Sequence, residues 1–184
     1  MEKIPEADEW LMGQVALGKR EFLEPLLRRY ASPLLTYIQR MMGNRHLAEE
    51  IFQEVFFVVW QKRRQYKFPK RFRAWLYTIA ANRCRQDLRR PTFVTTTMEP
   101  DWETADSGSW SAPVDSAIAT EQATLVNHAV AQLPAQQRTV VVLRVWNGLS
   151  YAEIADVIGK SEATARSHMH HGLCGMRRYL ETRI

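Results

Sequence analysis

Between residues 91 and 121 the chain carries six Asp/Glu and no Lys or Arg, and its apolar residues keep no sustained helical spacing. This stretch, PTFVTTTMEPDWETADSGSWSAPVDSAIATE, is rich in Thr, Ser and Pro and reads as a linker. It divides the remaining chain into two blocks, 1–90 and 122–184, each long enough for a small domain. In both blocks apolar residues recur at helical spacing, Gly and Pro fall at the breaks, and no run alternates as a strand would. The predicted fold class is therefore all-α, two helical domains joined by a flexible acidic linker. No fixed-period repeat is present, which argues against a solenoid.

A chain with 46% hydrophobic residues has enough apolar surface to build a core and is not a disordered tail. The net charge of +5 is unevenly spread: residues 1–90 hold 18 Lys/Arg and 10 Asp/Glu, whereas residues 122–184 hold 7 and 4. Two basic blocks around an acidic one point to an anionic partner. The two cysteines, Cys84 and Cys174, make no metal-type cluster with each other, and the start MEKIPEADEW lacks a signal-peptide pattern. The apolar run from Val55 to Trp60 falls far short of the roughly 20 residues that cross a bilayer. A soluble protein of the reducing cytoplasm is the expectation.

In AEEIFQEVFFVVWQKR, Ile51, Phe52, Val55, Phe56 and Val59 form one helical stripe suited to a core. Glu50, Gln53, Glu54, Phe57 and Gln61 form a second stripe, acidic and amide-bearing with an aromatic ring in its middle. Taken alone, it is either a solvated face with one stray Phe or a docking face. From Lys62 to Arg90 the chain holds 11 Lys/Arg and one acid, Asp87, interleaved with Tyr66, Phe68, Phe72, Trp75 and Tyr77. Cations neutralise phosphates and aromatic faces accept unstacked bases at roughly 1–3 kcal/mol each, so the mixture suits melted nucleic acid. Leu76, Ala80, Cys84 and Leu88 repeat every four residues and should face the core, which makes Cys84 a small buried hydrophobe. Trp75, Thr78, Asn82, Arg85 and Arg89 share another face, either basic and solvated or presented to DNA.

The sharpest local pattern lies in LPAQQRTVVVLRVWNGLSYAEIADVIGKSEATARSHMHHGLCGMRRYL, which looks like a helix-turn-helix. Ser150 and Glu153 make an S-x-x-E capping box, Tyr151, Ile154, Ala155 and Ile158 a buried stripe, and Gly159 a tight turn. Ser161 can cap a second helix whose Ala165, Met169, Leu173 and Met176 face the core. Docked in a major groove, that helix would aim Glu162, Thr164, Arg166, Ser167, His170 and His171 at bases and phosphates. His168, His170, His171 and Cys174 are metal-type side chains, but His168 and Cys174 point about 120° apart on an ideal helix, so no metal is expected. No Gly-rich phosphate loop, catalytic carboxylate pair or Ser/His/Asp set stands out, so neither an enzyme nor a cofactor is expected.

Taken together, these segments resemble the sigma-70 family, in its compact extracytoplasmic-function subfamily with only regions two and four. AEEIFQEVFFVVW looks like region 2.2, FRAWLYTIAANRCRQDLRR like regions 2.3 to 2.4, and LPAQQRTVVVLRVWNGLSYAEIADVIGKSEATARSHMHHGL like region 4. The resemblance implies domains at 1–90 (region 2) and 122–184 (region 4), with 91–121 in place of region three. It implies RNA polymerase core as partner: Glu50, Gln53, Glu54, Phe57 and Trp60 on the beta-prime clamp helices, and region 4 against the beta flap. It implies a minus-ten element opened and gripped by Lys67, Phe68, Lys70, Arg71, Trp75, Thr78, Asn82, Arg85 and Arg89. The minus-thirty-five element would be read as duplex by Glu162, Thr164, Arg166, Ser167, His170 and His171. An anti-sigma factor that holds the protein inactive is implied as well.

Two departures from the family pattern stand out. SHMHHGLCGMRR puts histidines and glycines where Arg and Lys are common, and Pro25 and Pro33 fall in the region 2.1 helices, where breaks or kinks are expected. The rival reading is a free-standing LuxR-type helix-turn-helix regulator, whose Ser-x-x-Thr-x-x-x-His pattern is matched by Ser161, Thr164 and His168. It accounts only for the last third of the chain. An RNA-binding or nucleic-acid-processing enzyme accounts for charge and aromatics but lacks a catalytic constellation.

Overall fold

The computed structural model describes residues 7–90 and 113–183, with side chains described from residue 122 in the second stretch. These residues form eight α-helices and no strand. The first four are α1 (Asp8–Ala16), α2 (Leu23–Met42), α3 (Arg45–Gln61) and α4 (Phe72–Leu88). The last four are α5 (Pro113–Ala131), α6 (Ala135–Val145), α7 (Tyr151–Ile158) and α8 (Glu162–Glu181).

The breaks expected at the prolines do not occur, and α2 runs unbroken through both. Pro25 sits in its first turn, where a missing N–H costs nothing. Pro33 lies inside the helix at a cost of about 3 kcal/mol. Against that cost, Leu26, Tyr30, Leu34, Tyr37, Ile38, Met41 and Met42 are buried along α2. At roughly 1.5–3 kcal/mol per large apolar side chain, their burial outweighs the proline. Helix α3 starts at Asn44, whose side chain accepts from the Leu47 N–H at 2.9 Å. The first residue of α4 is capped from a distance: the Phe72 N–H donates to the Glu9 carboxylate of α1 at 3.3 Å.

Helix α5 begins at Pro113, so 113–121 is helix where a linker is expected. Pro is favoured at the first helical position and the sequence after it is rich in Ala, both of which support a start there. The rest of the expected linker, 91–112, lies outside the described residues. The capping box forms as expected: Ser150 Oγ accepts from the Glu153 N–H at 3.2 Å, and the Glu153 carboxylate accepts from the Ser150 N–H at 2.8 Å. Gly159, at φ 64°, closes α7 in the left-handed region, and Ser161 Oγ caps α8 by accepting from the Thr164 N–H at 3.2 Å.

Helix α8 departs from its expected register. Ala165 is buried and Met169 and Met176 pack on the core, but Leu173 is 48% exposed. The reason is Gly172, which is buried where α8 meets α6; a Cβ there would lie 2.6 Å from Val141 Cγ2. The helix turns its bare backbone to α6 and swings the next residue, Leu173, towards solvent.

One buried apolar cluster runs through both halves, from Leu11, Ile38 and Leu76 to Val142, Leu143 and Ile154. The halves meet where α4 packs on α7 and α2 packs on α5 and α6. Polar groups fasten this seam. The Asn147 amide donates to the Pro33 carbonyl and to the Tyr77 hydroxyl, each at 2.9 Å. Arg73 donates to the Asn147 carbonyl. Arg138 donates to the Met41 carbonyl at 2.6 Å, and Arg40 stacks over Trp146 at 4.5 Å.

Candidate functional site

Three surfaces gather the residues singled out from the sequence. On α3, Ile51, Val55, Phe56 and Val59 are buried and Phe52 packs against them, which leaves the opposite face to solvent. Glu50, Gln53, Glu54 and Phe57 are exposed there, Phe57 at 61%. Trp60 is half-buried, and the Arg63 guanidinium lies over its ring at 4.1 Å while donating to the Trp60 carbonyl at 2.8 Å. Glu54 is ion-paired to Arg83 of α4, a residue the sequence reading passed over. Arg83 also reaches the buried carboxylate of Asp87 at 3.3 Å. Its spacing within one basic run gave no sign that it answers an acid on another helix.

The second surface is the loop before α4 together with the first turns of that helix. Tyr66, Phe72 and Trp75 form an aromatic cluster, with Tyr66 and Trp75 centroids 5.4 Å apart. The Tyr66 hydroxyl donates to the Lys70 carbonyl, which ties the loop to the cluster. Lys67, Phe68, Lys70 and Arg71 are exposed on this loop, with Phe68 at 63%. Along α4, Asn82 and Arg89 are exposed and Trp75, Thr78 and Arg85 half-buried. Arg85 donates to Asn82 Oδ1 at 2.8 Å, and the Thr78 hydroxyl is held by the Ala74 carbonyl at 2.7 Å. The surface thus joins a cationic rim and the exposed Phe68 to the half-buried Trp75 ring, which is backed by the buried Tyr66 and Phe72, a combination able to take phosphates and an unstacked base. Cys84 lies beneath it, and burial pushes its thiol up to about 12.

The third surface is the outer face of α8. Glu162, Arg166, Ser167, His170 and His171 are exposed and Thr164 half-buried. Arg166 reaches Glu162 at 3.4 Å, and Ser161 and Thr164 hydroxyls lie 2.9 Å apart. Cys174 Sγ and His170 Nε2 are 3.7 Å apart, and no three His, Cys, Asp or Glu side chains converge as a metal site among the described residues. On α7, at the junction with α4, burial opposes ionisation of Glu153, but the bonds from Ser150, with Arg73 and Arg71 nearby, outweigh it and hold the carboxyl below the usual range. Among the described residues no helix is long and apolar enough to cross a membrane.

The chain matches a family model described as sigma-70 region 2 over residues 26–93 and one described as sigma-70 region 4 over residues 124–173. RNA polymerase sigma factor CarQ of Myxococcus xanthus is 34% identical over 163 residues, 89% of this chain and 91% of that protein. ECF RNA polymerase sigma factor SigW of Bacillus subtilis is 26% identical over 181 residues, covering 91% and 93%. The solved complex of the sigma factor RpoE with the anti-sigma factor NepR from Bartonella quintana has the same fold, at a TM-score of 0.66 and 20% identity over 88% of this chain and 98% of that one. A match that includes region 2 leaves no room for a LuxR-type regulator, which resembles only the last third. The chain belongs to the sigma-70 family of RNA polymerase sigma factors, in its extracytoplasmic-function subfamily.

Proposed function

We propose that this sigma factor binds RNA polymerase core through α3, opens and holds the minus-ten element with the loop and platform of α4, and reads the minus-thirty-five element as duplex with α8. The observation that carries this reading is Phe57, a large apolar ring left 61% exposed amid Glu50, Gln53 and Glu54. Folding gains nothing from an aromatic in that place, whereas a partner that buries it does. Trp60, under Arg63, borders the same face. At the second surface, unstacking a base costs a few kcal/mol, which stacking at roughly 1–3 kcal/mol and phosphate contacts from Lys67, Lys70 and Arg71 offset. Phe68 and Trp75 would line the pocket, and Thr78, Asn82, Arg85 and Arg89 would follow the strand.

The protein acts in the cytoplasm, where core and DNA are, and catalyses no reaction of its own. The region 2 part, 1–90, and the region 4 part, 122–184, act as separable domains, with 91–121 between them and the beta flap as the second core contact. Distance supports the division. Elements centred ten and thirty-five positions before the start lie about 25 base pairs apart, on the order of 85 Å along the duplex. A compact body of this length is roughly 40 Å across, so both elements are reached together only when the seam between α4 and α7 opens. An anti-sigma factor, the partner of the RpoE relative, would act by covering the α3 and α4 faces or by keeping that seam shut.

The test is a pull-down of the purified protein with bacterial RNA polymerase core, followed by run-off transcription on a genomic promoter library. Core binding with new start sites is the expected result. Phe57→Ala should lose core binding while keeping its helicity, and unchanged affinity would overturn the docking face. DNA binding without core binding would overturn the reading as a whole.

A further inference from the structure

Two guanidiniums from two different helices meet one aromatic ring in the C-terminal half. The Arg166 guanidinium of α8 lies 4.3 Å from the Tyr151 ring centroid, and that of Arg144, at the end of α6, lies 4.9 Å from it. We infer that Tyr151 is a positioning residue for duplex recognition, its ring seating Arg166, and that Arg144 on the same ring is a phosphate contact. The inference rests on the reading that α8 docks in the minus-thirty-five duplex.

The base of the ring is rigid. Tyr151 opens α7 directly after Ser150, whose backbone and hydroxyl are both locked to the Glu153 carboxylate, at 2.8 and 2.7 Å. An aromatic face attracts a cation placed over it, and at an exposed site this is worth about 2- to 5-fold in population. Arg166 is a long exposed side chain whose other partner, Glu162, stands at 3.4 Å. Ring and carboxylate together narrow its conformations before DNA arrives, so less freedom is lost on binding.

Arg144 is tied by the Leu149 carbonyl at 2.8 Å, which fixes one edge of its guanidinium. It is exposed and makes no ion pair among the described residues. With Arg166 on the same ring, the two cations stand at most about 9 Å apart, so an anion beside the ring lies near both charges. In a helix-turn-helix the first helix crosses the DNA backbone while the second enters the groove. Tyr151 begins that first helix, so the anion that fits beside it is a backbone phosphate, which a guanidinium fork can grip by two oxygens.

The experiment uses the full chain assembled with RNA polymerase core on a promoter recovered from the run-off library. Binding is measured across a salt series and across a panel with each base pair of the minus-thirty-five element replaced. Tyr151→Leu should weaken binding about 2- to 5-fold and flatten discrimination at the base pair that Arg166→Gln also affects, whereas Tyr151→Phe should behave as the unchanged protein. Arg144→Gln should weaken binding equally on every sequence and reduce the slope of log K against log salt by about 0.9. If Tyr151→Leu keeps full discrimination where Arg166→Gln loses it, or Arg144→Gln keeps the salt slope, the inference is overturned and α8 docking stands. If Arg166→Gln is itself silent at every base pair, the docking of α8 fails. If Tyr151→Leu loses helicity, Tyr151→His, which keeps an aromatic ring but adds charge at low pH, reads the seating of Arg166 through discrimination at the same base pair, and Arg144→Gln reads the phosphate contact independently through the salt slope.

Discussion

A methyl group at Gly172 sets two effects against each other. Ala is the better helix former by about 1 kcal/mol, and Gly172 lies inside α8. A Cβ at this position, however, would come within 2.6 Å of Val141 Cγ2, and overpacking of that kind costs typically 1–3 kcal/mol. The packing term is the larger, so Gly172→Ala should lower the denaturant midpoint, and an unchanged or raised midpoint would show that α6 and α8 separate freely. The same position marks where residue-level reading of the sequence ended. Glycines in place of Arg and Lys were visible as a departure, but spacing alone put Leu173 in the core, because a helical wheel weighs side chains and Gly172 packs by having none. Cys84 was legible as a buried hydrophobe from its four-residue spacing with Leu76 and Ala80. Arg83, Arg144 and Tyr151 were not legible in their present roles, since their partners lie on other helices and nothing in their own neighbourhoods names them.

Helices with a local cause were readable and those with a distant one were not. The stripes of α3 and α4, the S-x-x-E box and the Ser161 cap depend on residues a few positions apart. The Glu9 carboxylate that caps α4 comes from 63 residues away, and α2 survives Pro33 only because its buried face outweighs the proline. The start of α7 allows a test by pH. Glu153 has its carboxyl held below its ordinary value of 4.5 by Ser150, Arg73 and Arg71, despite burial. A group whose folded pKa is depressed adds stability that is complete above the unfolded value and is lost as pH falls through the folded one. Glu153→Gln keeps the capping-box geometry but loses the charge, so it should be less stable than the unchanged protein near neutral pH, and the gap should close below about pH 4.5. Urea unfolding of both proteins at a series of pH values measures this, and a gap that stays constant in acid would show that the charge of Glu153 contributes nothing.

The two halves are joined by a seam that carries buried polar groups beside its apolar contacts. Asn147 gives its two amide bonds to Pro33 and Tyr77, yet its Oδ1 and Arg138 Nε have no hydrogen-bond partner among the described residues. Burial also lowers the pKa of Arg138, the sign of a cation taken from water with only carbonyls in exchange. Such orphans lower the cost of parting the seam, which is what the proposed reach to two separate DNA elements requires. Asn147→Ala removes one of the donors that span the seam and should weaken it by about 1–3 kcal/mol. If 1–90 and 122–184 are separable domains, that loss opens the seam and leaves each half folded. A donor dye on the exposed Cys174 and an acceptor on Gln65→Cys would then show lower energy transfer in the Asn147→Ala protein, with far-ultraviolet circular dichroism unchanged. Loss of helicity in step with the loss of transfer would mean that the halves fold as one cooperative unit. Unchanged transfer would mean that the apolar contacts of α4 with α7 hold the seam alone, and that some partner must force it apart.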